Sequence, residues 1–300
     1  MIRVTQITIS APAKINLTLD VLGKRADGYH DIESVMHQVN LCDRVTVAVI
    51  PEGIEVYSNN AELPSGEGNL VYRAAMAVVS WLGIKTGFRI YLEKNIPLGA
   101  GLAGGSTDAA AVIKAINRLL GSRISFPVML RLGQSVGSDV PFCMVGNTAL
   151  AQGKGEILTR VDNRVCLYLV LVNPGFQVST AQVYNLIDRE TIVDHPDSSK
   201  MIQALASGDF KGVVSGLGNA MEKVTFKLHP ELTGIKADLL RVGAAGALMS
   251  GSGPTVFGVF SRPEEACRAF HIMKETYPHT FWCSSYMGNG GQHGEEINTN

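Results

Sequence analysis

The sequence has no long run of charge of either sign and no paired cysteines, and each absence excludes a class of protein. Lysine plus arginine (26) and aspartate plus glutamate (27) nearly cancel over 300 residues, with a formal net charge of −1 at pH 7. No basic cluster stands out, so we expect neither nucleic acid nor an anionic membrane surface as a general partner. The five cysteines are scattered and form no CxxC pair, which indicates a reducing compartment and argues against a disulfide framework or a zinc site.

Long apolar runs and an apolar leader are also missing. The N-terminus has no signal-peptide apolar region. Two long uncharged stretches, residues 165–187 and 242–261, are interrupted by proline, glycine and polar residues, whereas a bilayer span needs about 20 predominantly apolar residues. We therefore expect no membrane span and a cytoplasmic protein. The apolar fraction of 46% with 18% charged residues is typical of globular proteins, and 300 residues suit one large or two ordinary domains.

Residues 97–107 are the most informative stretch, because four of the seven residues from Gly99 to Gly105 are glycine and an apolar helix-forming run from Asp108 to Leu120 follows. Backbone N–H groups without neighbouring Cβ atoms can close around an anion, and a helix N-terminus adds unpaired donors and a positive dipole end. Ser106 or Thr107 could add a hydroxyl, as a helix cap or beside a metal bound to phosphate. We interpret this stretch as a cradle for a nucleotide triphosphate.

Two known phosphate-binding patterns nearly fit this stretch, and each lacks one residue. A P-loop needs lysine where this chain has Gly105, so that alternative is rejected. The spacing of Gly99, Gly101 and Gly104 satisfies the dinucleotide fingerprint, but that site needs an acid about 20 residues further on. Residues 109–138 contain no aspartate or glutamate, which weakens an NAD-dependent oxidoreductase. A glycine-rich turn without a ligand stays open, and the stretch alone supports phosphate binding and no more.

Periodicity predicts two α+β domains that divide near residue 160, with a cleft between them. In the first strand Lys14 and Asn16 share the polar face, about 7 Å apart. Asn69 is the expected cap of a helix that ends near Leu82. Residues 288–300 are polar and are expected to fray. The other predicted strands are 33–40, 44–49, 54–58, 88–92, 142–145, 148–151, 156–159, 165–172, 255–260 and 281–286, and the other predicted helices are 127–136, 180–188, 199–206, 210–222 and 263–277.

Three segments together resemble the ordered motifs of the GHMP small-molecule kinase superfamily: Pro12–Leu17, the loop Pro97–Thr107 and Ser250–Pro254. The resemblance covers about residues 7–286. It implies a two-domain α+β GHMP kinase fold with a ribosomal-S5-like, ATP-binding N-terminal domain (1–162), a ferredoxin-like C-terminal domain (163–287) and a disordered tail (288–300).

Two further runs, Arg25–His30 and Gly137–Pro141, resemble the branch of that superfamily that acts on a cytidine-diphosphate-linked methylerythritol. The reaction implied is the ATP-dependent transfer of a phosphoryl group to the 2-hydroxyl of that substrate, giving the 2-phosphate and ADP, in the non-mevalonate isoprenoid pathway. A homoserine or mevalonate kinase is the nearest alternative, but it needs no cytosine pocket. A non-catalytic nucleotide-binding protein on the same fold is another, and it predicts a broken pair of catalytic residues.

The resemblance also implies the site residues. Asp139 is the catalytic aspartate that accepts or orients the hydroxyl proton, and Lys14 is the catalytic lysine that holds Asp139 ionised and offsets the transferred charge. Taken alone, Asp139 suits a turn or cap and Lys14 a solvated strand position. The implied ATP-binding residues are Asn69, Lys94, Pro97, Leu98, Gly99, Ala100, Gly101, Leu102, Ala103, Gly104, Gly105, Ser106 and Thr107. The implied substrate-binding residues are Asn16, Tyr29, His30, Asp139, Thr180 and Tyr184, with Tyr29, His30 and Tyr184 around the cytosine ring.

Some details remain open at this point. Met36 stands where the family often has another aromatic residue, and its sulfur could cover a ring edge. Ser250–Pro254 either braces the phosphate cleft or is a tight turn before a strand. Mg²⁺ is expected to accompany ATP, with Ser106 and the phosphates as ligands, and no separate protein-held metal site is expected. We expect a monomer or a weak homodimer.

Overall fold

The computed structural model describes residues 5–188 and 195–286 and the backbone of residues 295–296. The first half of the chain builds one mixed sheet around a long central strand, β3, which pairs antiparallel with β1, β2, β5 and β6. Strand β4 pairs parallel with β5, and β7 pairs antiparallel with β6. The strands are β1 (Gln6–Asn16), β2 (Thr18–Lys24), β3 (His30–Ile50), β4 (Ile54–Ser58), β5 (Gly87–Glu93), β6 (Thr148–Gly153) and β7 (Ile157–Arg160).

The prediction of two separate strands over 33–40 and 44–49 is wrong, because β3 is continuous through both. Its pairing with β1 runs on through Cys42 and Asp43, which face Pro12 and Ala11. The register with β1 shifts between Pro12 and Lys14, which pair with Cys42 and Gln38, so β3 has two extra residues there. A bulge bends a strand without ending it, so the polar residues of this stretch do not mark a turn.

Four helices cover this sheet: α1 (Leu70–Leu82), α2 (Gly104–Leu119), α3 (Phe126–Val136) and α4 (Val140–Val145). Helix α2 is rich in alanine and buried over most of its length, and it lies against α1, α4 and β1. The strand predicted over 142–145 is wrong, since these residues form most of α4. A short apolar run that is buried on all sides has no periodicity that distinguishes strand from helix.

The second half of the chain forms a four-stranded antiparallel sheet in the order β10-β11-β8-β12. Its strands and helices follow as β8 (Tyr168–Val172), α5 (Thr180–Ile187), α6 (Ser198–Ser207), α7 (Phe210–Ser215), β9 (Gly218–Asn219), α8 (Glu222–Leu228), α9 (Glu231–Arg241), β10 (Gly246–Met249), β11 (Val256–Phe260), α10 (Pro263–Thr276) and β12 (Thr280–Ser284). Apart from β9, which lies in the other sheet, this is the βαββαβ order of a ferredoxin-like domain, as the resemblance implies.

The helix predicted over 210–222 is also wrong. The chain instead forms α7, then β9, then α8, and β9 pairs parallel with β2 opposite Thr18 and Leu19. The second half therefore adds a short strand to the first sheet. The strands change sheet between Arg160 and Tyr168, near the predicted division, while the domain limits themselves stay a prediction. Helix α9 and strand β10 have no counterpart among the predicted elements.

Of the predicted tail, residues 288–300, the structure describes only the two-residue strand β13 (Glu295–Glu296), whose backbone pairs antiparallel with β1 at Ile9 and Thr8. The other tail residues lie outside the described part of the chain. Within the described residues, none of the helices has the length and apolar character needed to cross a bilayer.

Candidate active site

Lys14 and Asp139, separated by more than a hundred residues of sequence, meet where β1 passes the start of α4. Lys14 Nζ lies 3.9 Å from Asp139 Oδ2, and the side chains are 5% and 31% exposed. The ammonium is therefore enclosed while the carboxylate stays within reach of a bound molecule. The structure thus brings the two expected catalytic residues together as a cation and an accessible base.

Asn16 fixes the position of the Lys14 ammonium. Lys14 Nζ donates to Asn16 Oδ1 at 2.7 Å, and Asn16 Nδ2 donates to Ser34 Oγ at 2.8 Å. The shared face predicted from alternation is confirmed by the first of these hydrogen bonds. Because both ends of the Asn16 amide have partners, its expected contact with substrate stays a prediction, and its visible role is to orient Lys14.

The glycine loop has the backbone of an anion cradle. Gly99, Gly101 and Ala103 have positive φ angles of 60°, 75° and 57°, and residues in this conformation turn successive N–H groups toward one concavity. Helix α2 begins at Gly104 with Ala103 as its cap. The expectation that Ser106 or Thr107 caps the helix is therefore wrong, since both lie inside it, and Thr107 N–H donates to Ala103 O at 2.9 Å.

The loop is tied to both the lysine and the C-terminal motif. Lys14 N–H donates to Leu102 O at 3.1 Å, and Ser250 Oγ donates to Gly101 O at 2.9 Å. A Cβ on Gly101 would lie 2.3 Å from Ser250 O, so only glycine fits there. Asn219 Nδ2 in turn donates to Gly251 O at 2.8 Å. Ser250–Pro254 therefore braces the glycine loop, one of the two roles considered for it. The three motifs, Pro12–Leu17, the glycine loop and Ser250–Pro254, thus lie side by side.

Lys94 is placed differently from the expectation that it contacts the nucleotide. Its side chain, 3% exposed, lies between the carboxylates of Asp43 and Asp108. The distance from Lys94 Nζ to Asp108 Oδ2 is 2.6 Å, and Asp43 Oδ1 also accepts from the N–H groups of Asn95 and Ile96 at 2.6 and 2.8 Å. With its ammonium bound on two sides, Lys94 joins β3 and the end of β5 to α2 at Asp108, one turn after the helix begins. The ion pairs of Lys94 therefore hold the two ends of the glycine loop together.

Burial raises the pKa of Asp108 to about 7, against the opposing effect of Lys94 and with a further contribution from Asp43. The pKa of Lys94 is raised because the two carboxylates together outweigh burial, which alone would lower it.

Asn69 is the predicted cap of α1. Its Oδ1 accepts from Val71 N–H at 3.0 Å and its Nδ2 donates to Pro64 O at 2.8 Å. The cap is confirmed. The contact of Asn69 with adenine or ribose stays a prediction, since its amide is engaged at both ends in this structure.

Two of the three residues expected around the cytosine ring lie together. The His30 and Tyr184 rings stack with centroids 4.6 Å apart and an interplanar angle of 18°. His30 Nε2 lies 2.6 Å from Asp188 Oδ1. Hydrogen bonds from His30 and Lys24 lower the pKa of Asp188, so a carboxylate stands beside the imidazole. Tyr29 is outside this stack: it is 61% exposed.

Burial, and after it the charge of Asp139, raise the pKa of Tyr184 to about 12. The phenol therefore stays neutral, beside the negative charge of Asp139. Thr180, one turn before Tyr184, hydrogen-bonds Ser252 Oγ through Oγ1 at 2.8 Å. Met36 does not contribute a ring contact, because it is 2% exposed and packs in the core of the first half.

Several residues of this region were not predicted from sequence. Ser34 and Asn219 are polar side chains that hold other site residues, and neither carries a motif signal. Asp188 follows Tyr184 by one helical turn, which places both on one face of α5, and that spacing could have indicated it. Asp43 and Asp108 carry the counter-charges of Lys94.

The described residues contain no group of three or more His, Cys, Asp or Glu side chains placed to hold a metal ion. Ser106 Oγ lies 4.0 Å from the position that a Cβ on Gly137 would take. Its hydroxyl therefore faces the segment that leads into Asp139, which suits a single protein ligand to a cation whose other ligands come from phosphate.

Comparison with known proteins covers nearly the whole chain. Family models described as "GHMP kinases N terminal domain" and "GHMP kinases C terminal" match residues 69–147 and 201–279. A 4-diphosphocytidyl-2-C-methyl-D-erythritol kinase from Syntrophomonas wolfei subsp. wolfei is 46% identical over 281 residues, which are 94% of this chain and 99% of that protein. A crystal structure of 4-(cytidine 5'-diphospho)-2C-methyl-D-erythritol kinase is 34% identical with a TM-score of 0.81 and covers 94% of this chain and 100% of its own. A homoserine kinase from Cytophaga hutchinsonii is 21% identical with a TM-score of 0.77 over 98% of both chains and shares the fold.

Proposed function

The chain belongs to the 4-diphosphocytidyl-2-C-methyl-D-erythritol kinase family of the GHMP kinases, and we propose that Lys14 and Asp139 are its catalytic pair. Its activity is the ATP-dependent phosphorylation of the 2-hydroxyl of 4-diphosphocytidyl-2-C-methyl-D-erythritol, which gives the 2-phosphate and ADP. The identity of 46% over 94% of the chain carries the activity. The distance of 3.9 Å between Lys14 Nζ and Asp139 Oδ2, beside the glycine loop, supports the assignment of the pair.

Asp139 is placed to receive or orient the proton of the attacking hydroxyl, because its carboxylate is the accessible member of the pair. Lys14 cannot accept a proton while charged. Its ammonium keeps the carboxylate ionised and offsets negative charge that moves toward the acceptor oxygen. Asn16 holds that ammonium in place, so the substrate meets a fixed positive charge and a fixed base.

The glycine loop binds the phosphates of ATP through main-chain N–H groups at the start of α2. Phosphoryl transfer passes through a loose transition state, so the contribution of the protein is position and charge neutralisation. Ser106 is the residue that would hold Mg²⁺, which would supply positive charge to neutralise the phosphates. The hydrogen bond from Ser250 Oγ to Gly101 O holds the glycine loop in position relative to Lys14.

The cytosine ring is recognised by His30 and Tyr184. A ring that enters beside Tyr184 gains aromatic stacking, and the imidazole supplies a hydrogen bond to the base edge. Asp188 orients that imidazole through Nε2. Tyr29, which is exposed at the entrance, becomes a second stacking partner when substrate binds. Thr180 contacts the substrate near Ser252, and Asn69 contacts the nucleotide.

A homoserine or mevalonate kinase is the nearest alternative activity. The homoserine kinase from Cytophaga hutchinsonii shares the fold at 21% identity. An identity this low does not indicate that the two proteins act on the same substrate. The stacked His30 and Tyr184 have no use in either alternative, since neither acceptor carries a base. The state of association, monomer or weak homodimer, stays a prediction.

One assay separates these activities. Purified protein with Mg-ATP is supplied in turn with 4-diphosphocytidyl-2-C-methyl-D-erythritol, homoserine or mevalonate, and ADP release is measured. We expect ADP only with the cytidyl substrate. ADP formed with homoserine or mevalonate alone would overturn the substrate assignment, and no ADP with any acceptor would favour a non-catalytic nucleotide-binding protein.

A further inference from the structure

A polar side chain from the second half of the chain lies on the glycine loop. A Cβ on Gly99 would be 2.8 Å from Gln177 Cγ and 2.9 Å from Gln177 Oε1. The Gln177 carboxamide therefore rests directly on the backbone of Gly99. Because Gly99 also has a positive φ of 60°, both the space and the backbone conformation favour glycine at this position.

The alternation of side chains after β8 explains why Gln177 faces the loop. Phe176 and Val178 both pack into the hydrophobic core of the second half, whereas Gln177 is exposed. In an alternating segment, successive side chains point to opposite sides. Since its two neighbours face the core, Gln177 faces away from it, and the glycine loop lies on that side.

Contacts of the neighbouring residues hold this segment in place. Asn173 Nδ2 donates to Thr255 Oγ1 at 3.1 Å. The Phe176 ring stacks on His229, with the ring centroids 4.7 Å apart. Gln177 therefore extends from a fixed backbone, which lowers the entropy that is lost when a ligand orders its side chain.

The carboxamide of Gln177 makes no hydrogen bond with the described residues. A carboxamide has two N–H donors and one carbonyl acceptor, and those of Gln177 remain available beside the loop. By contrast, the amides of Asn16 and Asn69 are engaged at both ends. Gln177 thus brings free donors to a loop whose main-chain N–H groups suit phosphate.

We propose that Gln177 is a further ATP-binding residue, whose carboxamide N–H donates to a phosphate oxygen of the nucleotide held by the glycine loop. This inference rests on the proposed ATP-dependent activity. A hydrogen bond to an ionised oxygen is shorter and stronger than one between neutral groups, so a single such bond changes the affinity measurably. Because Gln177 belongs to the second half of the chain, bound ATP contacts both halves.

The test measures binding of the nucleotide, so it does not depend on the acceptor. Calorimetry with a non-hydrolysable ATP analogue and Mg²⁺ gives the Kd of the unaltered protein and of two variants. Gln177→Met keeps the length of the side chain but removes its donors, and we expect the Kd to rise at least about tenfold. Gln177→Glu has the same shape with a negative charge, so the Kd should rise further. Gln203→Met and Gln203→Glu, at an exposed position on α6, are the matched controls.

Adenosine distinguishes a contact with phosphate from a change in the loop. Its inhibition constant, measured by competition with the analogue, should be the same in the unaltered protein and in both Gln177 variants, since adenosine carries no phosphate. A Kd of Gln177→Met within about twofold of the unaltered protein would mean that Gln177 only packs on Gly99. Equal losses for adenosine and for the analogue would mean that the variants disturb the loop. Either result overturns the proposal.

The unaltered protein separates this proposal from the proposed activity. If it binds the ATP analogue and Gln177→Met binds equally well, only the role of Gln177 is overturned. If the unaltered protein binds no ATP analogue, the ATP-dependent activity itself is overturned, and the role of Gln177 with it.

Discussion

Replacement of Lys94 by methionine tests whether the glycine loop depends on the buried ion pairs that Lys94 makes with Asp43 and Asp108. Lys94→Met keeps much of the side-chain volume but leaves the carboxylates of Asp43 and Asp108 buried without their cation. The side chains of all three residues are at most 3% exposed. Water therefore does not replace the lost ammonium, and we expect a large effect on stability.

The size of the expected loss of stability follows from the burial of the three side chains. Removal of one partner from a buried ion pair costs about 3–5 kcal/mol, because the remaining charge is uncompensated. The Tm falls by about 2–4 °C for each kcal/mol in chains of roughly 150–250 residues. Lys94→Met should then lower the Tm by roughly 6–20 °C. Because Asp108 directly follows the glycine loop Pro97–Thr107, the KM for ATP should rise as well.

Thermal unfolding followed by circular dichroism at pH 8 measures the loss of stability, and steady-state kinetics measure the KM. A double variant, Lys94→Met/Asp108→Asn, also removes one of the two carboxylates that are left without a cation, and it should recover part of the lost Tm. Lys85→Met, at an exposed position, is the control for loss of a lysine. A Tm for Lys94→Met within about 2 °C of that control, with an unchanged KM for ATP, would refute the argument.

Three further predictions concern other parts of the site. Tyr184→Ala should raise the KM for the cytidyl substrate about fivefold without changing that for ATP, since stacking is worth about 1 kcal/mol, and Tyr184→Phe should keep the wild-type KM. Gly101→Ala should abolish binding of an ATP analogue in calorimetry, because the added Cβ would lie 2.3 Å from Ser250 O, whereas Gly66→Ala, with open space around it, should bind normally. The folded pKa of Asp108, about 7, lies above its ordinary value of 3.8, so the folded state binds the proton more tightly and wild-type stability should fall as the pH rises from about 4 to about 7. Urea unfolding at several pH values should show that fall in the wild type and a smaller one in Asp108→Asn.

The parts of the site that sequence could predict are those set by local patterns. Alternation of polar and apolar residues places Lys14 and Asn16 on one face, and the hydrogen bond between them confirms it. Asn69 directly precedes an apolar helical stripe and is the cap. The glycine loop was recognised because its composition permits positive φ angles at Gly99 and Gly101. In each case the signal lies within a few residues.

The parts that could not be predicted depend on residues brought together from distant positions. The charge of Lys94 is neutralised by Asp43, 51 residues away, and by Asp108, 14 residues away, so nothing local distinguishes a buried lysine from one that contacts a nucleotide. Likewise, β3 continues through Asp43 because its two extra residues between Gln38 and Cys42 are accommodated as a bulge against β1, and α4 is helical because of its packing. Sequence periodicity reports exposure to solvent, and five of the six residues of α4 are buried.

The most direct test of the account is the turnover of Asp139→Asn with Mg-ATP and 4-diphosphocytidyl-2-C-methyl-D-erythritol, with the product followed by ³¹P NMR. The wild-type protein should place the new phosphate on the 2-hydroxyl. Asp139→Asn should lower kcat by about 10²- to 10⁴-fold, the contribution of a positioned acid or base, while an ATP analogue binds as before. A variant that turns over near the wild-type rate would contradict the assignment of Asp139 and Lys14 as the catalytic pair.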